Sequence, residues 1–172
     1  CSSKLTGALP AISAANLTAI PAANITGTLP AISGANLTGI SGGKLLQIQY
    51  VNLTTEWTVS GTTQVDLAGL TATITPASTS SKIICMLQSG LGNGSAGSYM
   101  TLKLYRDSTQ IAHRVTERNS TYQYQMADIN YVDSPSTTSA TTYKITAQRN
   151  ASGSSYLGIN ATTTSLVLME IE

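Results

Sequence analysis

KIICMLQSGLGNGSAGSYMTLKLYRD, Lys82–Asp107, decides the fold class. Its first ten residues are an apolar run that reads as a fully buried strand over 82–91. GNGSAG (92–97) is a glycine-rich hairpin loop, and SYMTLKLYRD (98–107) alternates apolar and polar residues as a second strand does.

The same reading extends in both directions. Upstream, LLQIQYVN (45–52) alternates, with Leu46, Ile48 and Tyr50 on one face and Gln47, Gln49 and Val51 on the other. EWTVSG (56–61) and TQVDLAGLTATITP (63–76) follow, and Pro76 with ASTSS closes a turn. Downstream, TQIAHRVTER (109–118) and TYQYQMADINYVD (121–133) are strands split at Asn119–Ser120. SPSTTSA is a turn before TTYKITAQR (141–149). After NASGSS, YLGIN and SLVLMEIE (165–172) complete the set, and the last strand is expected at the centre of a sheet. Short strands at regular spacing without a helical period predict an all-β antiparallel sandwich over 45–172, with the jelly roll as its leading form.

Residues 1–44 differ. LTGALPAISAANLTAIPAAN (5–24) is followed in register by ITGTLPAISGANLTGISGGK (25–44). Pro10, Pro21 and Pro30 exclude a continuous helix, and no Gly-X-Y period marks collagen. A unit this small cannot bury its own Leu and Ile, and two units fall short of a solenoid. The repeat therefore predicts a shaft of three intertwined chains, with Leu9, Ile12, Leu17, Ile20, Leu29, Ile32, Leu37 and Ile40 on the shared axis. Gly42-Gly43 marks its joint with the head. The chain opens on Cys1, which suggests a fragment or processed product.

Composition narrows the function. Charged residues make up 10% and the net charge is +1, so there is no electrostatic footprint for nucleic acid. The apolar runs are too short to span a membrane, and membrane insertion is not expected. Cys85 reads as a buried thiol, and two cysteines do not make a disulfide framework. The eight Asn-x-Ser/Thr sites, three of them in the repeat, read as products of composition. No metal-ligand spacing occurs, and no metal or cofactor is expected. His113, the sole histidine, has no nucleophile context, and the acidic residues show no paired spacing. The chain is accordingly expected not to be an enzyme.

Binding remains. The densest polar and aromatic segment is 113–130, with His113, Arg114, Glu117, Arg118, Tyr122, Tyr124 and Gln125. Exposed aromatics and hydrogen-bonding side chains suit receptor contact, yet Tyr and Arg are equally at home in a trimer interface. Both readings stay open for these residues. Tyr122, Tyr124 and Met126 share a face suited to an apolar seam, with Gln123, Gln125 and Ala127 pointing away.

LAGLTATITPASTSSKI (67–83), YVDSPSTTSATTYKI (131–145) and SLVLMEIE (165–172) resemble the head domains of tailed-bacteriophage fibre and tail-associated proteins. LPAISGANLTGI (29–40) is similar to the shafts that precede such heads. The resemblance implies a homotrimer with a tumour-necrosis-factor-like jelly-roll head on the virion surface, as a tail fibre or spike. Its partners would be a bacterial cell-surface glycan or protein and other virion tail proteins upstream. The alternative is a purely structural spike, collar or head fibre with no receptor of its own.

Overall fold

The computed structural model describes residues 44–93, 99–117, 124–150 and 153–172. The repeat, its expected axis from Leu9 to Ile40, Arg118 and Tyr122 lie outside the described residues.

Among the described residues the chain forms ten strands: β1 (Leu45–Leu53), β2 (Trp57–Ser60), β3 (Val65–Ile74), β4 (Lys82–Asn93) and β5 (Tyr99–Arg106), then β6 (Thr109–Glu117), β7 (Tyr124–Asp133), β8 (Thr141–Arg149), β9 (Ser154–Leu157) and β10 (Thr164–Ile171). All pairings are antiparallel and make two sheets. Without the short β2 and β9, these read β1-β10-β4-β7 and β3-β8-β5-β6. Apart from the β5–β6 hairpin inside the second sheet, successive long strands thus wrap from one sheet to the other, in the nested order of a jelly roll. The protein is a β-sandwich.

β4 organises the first sheet. Its whole length pairs with β7, while its other edge pairs with β10 over Lys82–Gln88 and with β9 over Leu91–Asn93. β10 lies between β1 and β4, so the terminal strand is bonded on both sides. Glu172 exchanges two backbone hydrogen bonds of 3.1 Å with Lys44, so the described chain enters and leaves at one end of the sandwich. At the opposite, far end Gly92 pairs with Tyr124 and Met100 with Arg149.

Alternation places the core. Ile83, Cys85, Leu87 and Leu91 of β4 meet Leu166 and Leu168 of β10 on the inner side of the first sheet. Met100, Leu102 and Leu104 of β5, with Tyr143 and Ile145 of β8, face them from the second. The expectation that 82–91 is buried on both faces is corrected: Ile84 and Met86 are half-buried and Gln88 is exposed, because only one face of β4 meets the other sheet. In β1 the apolar pair Ile48 and Tyr50 points outward, while Val51 turns to the core opposite Leu166.

At the chain-entry end, Arg106 on β5 reaches across to β7. Its Nη1 donates to both Asp133 carboxylate oxygens at 3.0 Å, and the Tyr143 hydroxyl donates to Oδ2 at 2.7 Å. Burial, then the Asp133 carboxylate, pushes the Tyr143 hydroxyl well above the ordinary phenol range. Burial, with Asp133 adding to it, pushes the Cys85 thiol up to about 12, so this cysteine is an inert core residue.

YLGIN does not continue as a strand. Gly158 has φ +69°, and a Cβ there would collide with the Thr55 carbonyl, so only glycine fits. β9 therefore stops at Leu157, and Ile159–Ala161 form a 3-10 turn. That turn packs over the far end of β4, where a Cβ on Gly92 would collide with Ile159.

Candidate functional sites on the two outer faces

The sandwich offers two outer surfaces of opposite character. On the first sheet, register sets Leu45, Ile48 and Tyr50 of β1 beside Val167, Met169 and Ile171 of β10. Ile84 and Met86 of β4 continue the row, and Tyr124, Met126 and Val132 of β7 complete it. Tyr50 and Tyr124 are 66% exposed, and Met126 and Val132 are 56% exposed. This face is apolar from edge to edge, broken by Gln88, Asp128 and Asn130 near its middle. Two shallow hollows open on it. One, of about 290 Å³, lies against Gly90, Tyr124, Met126 and Ile159; the other, of about 280 Å³, lies against Met86, Gln88, Asn130 and Val167.

The outer face of the second sheet is polar. Thr73 and Thr142 share a 3.0 Å hydroxyl contact across β3 and β8. Lys144 donates to Asp66 at 2.9 Å, with its ammonium 5.8 Å from the centre of the Tyr105 ring. Lys103 donates to Gln64 at 2.7 Å and to Gln148 at 3.2 Å, and Gln64 donates to the Tyr105 hydroxyl at 3.0 Å. Toward the far end a groove of about 480 Å³ crosses this face. Tyr99, Thr101 and Lys103 of β5 form its floor, Gln110, His113 and Val115 of β6 one wall, and Gln148, Arg149 and Asn150 the other. Lys103 and His113 are direct cross-strand partners.

Arg149 is the unusual member. Its strand position puts it on the inner side opposite Met100, and it is 1% exposed. Among the described residues none of its three guanidinium nitrogens has a hydrogen-bond partner. Burial pulls this guanidinium below its ordinary value, against a smaller opposing influence of Tyr156. The nearby strand β9 holds a second unpartnered buried group, the Ser155 hydroxyl.

The segment 113–130 is not one surface. β6 and β7 belong to different sheets, so His113 faces the groove while Tyr124 faces the apolar side. Arg114 is exposed and lies 3.8 Å from Asp128, bridging the gap between the sheet edges. Gln125 points inward opposite Leu91, and Glu117 ends β6 opposite Tyr99. Arg149 escaped the sequence reading, although a signal was there: it continues the i, i+2 series of Tyr143, Ile145 and Ala147.

Among the described residues no group of three or more His, Cys, Asp or Glu side chains is placed to hold a metal. No described helix is long and apolar enough to cross a membrane.

No protein-family model matches the sequence, and no curated protein matches it either. Among solved structures the chain is similar to one from infectious bursal disease virus, Gx strain, at 15% identity over 73% of this chain and TM-score 0.45. A second viral-particle structure, of the T13 form of the same virus, gives 12% identity over 74% and TM-score 0.44. This chain spans 36% and 38% of those two chains. A carbohydrate-binding module from Cellvibrio mixtus lichenase 5A, in complex with cellotriose, aligns at 13% identity and TM-score 0.32, covering 66% of this chain and 72% of the module. At such scores the likenesses carry no argument about function, and the sandwich rests on its own strand order.

Proposed function

We propose that this chain is the head and part of the shaft of a homotrimeric bacteriophage fibre, carried on the virion surface, that binds a bacterial surface glycan or protein without enzymatic activity. The observation that carries this reading is the apolar outer face of β1-β10-β4-β7. Soluble monomers rarely expose a continuous apolar patch of this kind, and sister copies packed on it would remove it from water. The repeat at 5–44 asks for the same remedy, since its Leu and Ile have no interior of their own. With one face given to sister copies, the polar face is left for a receptor.

Sedimentation equilibrium of the full chain tests the assembly, and adhesion of labelled protein to bacterial cells tests the receptor. A trimer that adheres supports the reading. A monomer with an intact sandwich overturns it. A trimer that adheres to none of a broad bacterial panel favours the purely structural spike, collar or head fibre.

A further inference from the structure

The groove on the polar face holds a lysine that no described carboxylate pairs with. Elsewhere on the sandwich, Lys144 has Asp66, Arg106 has Asp133 and Arg114 has Asp128. Lys103 instead bonds two neutral amides, and Arg149 bonds nothing among the described residues. Lys103 lines the groove with His113 directly across from it, Arg149 sits on the inner side of the strand that forms the opposite wall, and no Asp or Glu is among the described side chains that line it. A buried guanidinium cannot shed its proton as a lysine can, so its charge persists and acts through a low-dielectric interior. Tyr99, 41% exposed, offers an aromatic ring, and Gln110 and Gln148 offer amides suited to sugar hydroxyls. The groove volume falls within the range of small-ligand sites, roughly 300–1,000 Å³.

We propose that this groove binds an anionic sugar, with Lys103 and His113 receiving the acidic group and Tyr99 the ring. Arg149 is the fixed positive charge behind the site. The inference rests on the receptor-binding reading above and names the class of receptor. The acidic group could be a carboxylate or a sulfate, and the same N–H donors would receive either.

The test is calorimetric titration of the full chain with oligogalacturonide, dextran sulfate and neutral dextran. One or both anionic glycans should bind and weaken severalfold between about 50 mM and about 500 mM salt, while neutral dextran does not bind. The double variant Lys103→Gln, His113→Gln should weaken binding about tenfold or more. Thr73→Lys, on the same sheet but outside the groove, should retain it. Binding unchanged in the double variant, or dextran binding equally well, overturns the proposal. If all three glycans fail while the protein still adheres to bacterial cells, the sugar class is wrong and the receptor reading stands; if adhesion also fails, both fall.

Discussion

The two outer faces of this sandwich obey one rule and reach opposite results. In both sheets every second residue leaves the core. From β10 those residues are Ser165, Val167, Met169 and Ile171, whereas from β8 they are Thr142, Lys144, Thr146 and Gln148. Nothing in strand geometry requires the difference, since either face would be stable against water if polar. On the proposed assembly, the apolar face is the one sister copies cover and the polar face the one left to a receptor.

Met169 is where that contrast is most easily broken. It lies between Ile48 of β1 and Ile84 of β4, at the centre of the apolar face. Met169→Lys should leave the sandwich folded but place an unpaired cation in each copy of the interface, at a cost of about 3–5 kcal/mol per site. Dissociation to monomers at micromolar concentration, read by sedimentation equilibrium, is the expected outcome. A trimer as tight as wild type would mean the face is not the seam.

Its neighbour sharpens the distinction between inner and outer. Leu168 is fully buried between β1 and β4 on the core side of the same strand. Leu168→Ala should destabilise the fold itself by about 2–5 kcal/mol, seen as a lower denaturation midpoint with little change in slope. One residue apart, the two substitutions should thus report on different things: assembly and folding. A Leu168→Ala protein with an unshifted midpoint would contradict the assignment of sides.

Much of this was legible beforehand. The bounds of TTYKITAQR match β8, and the terminal strand was expected where it lies. What the pattern could not supply was which of two apolar sides faces in. From Gln47 onward LLQIQYVN sorts into the expected two sets, but a bulge between Leu45 and Gln47 puts Leu45 rather than Leu46 in register with them, and the more apolar set, Ile48 and Tyr50, faces out. Alternation assigns residues to sides, and only the position of the second sheet says which side is the core. The same gap hid the site. The segment 113–130 is continuous in sequence, but the jelly-roll wrap carries β6 and β7 into different sheets and splits it.

Glu170 gives a smaller, pH-dependent effect. It is fully buried next to Met169, accepting from Gln47 at 2.6 Å and from the Ala77 amide at 2.7 Å. Burial alone would raise its pKa, but the hydrogen bonds to the carboxylate outweigh that and hold it below the usual range. A depressed native pKa means the stabilisation is present above the unfolded carboxyl value of about 4.3 and is lost as pH falls through the native one. Glu170→Gln should cost about 1–3 kcal/mol at neutral pH, and the difference from wild type should shrink in acid. Parallel stability curves for the two proteins across that acid range would refute the linkage.

The smallest effect belongs to the polar face. Thr73 is exposed, and its hydroxyl meets only Thr142, in a 3.0 Å contact that water can replace. Thr73→Val keeps the β-branched shape and removes the hydroxyl, so stability should change by less than about 0.5 kcal/mol. The sedimenting mass should not change at all, because one added methyl on a face of threonines, lysines and glutamines does not make a seam. The reverse exchange on the opposite face, Ile84→Thr, which puts a hydroxyl where an apolar group stood, should loosen the assembly measurably. If Thr73→Val altered the oligomer while Ile84→Thr did not, the roles assigned to the two faces would have to be exchanged.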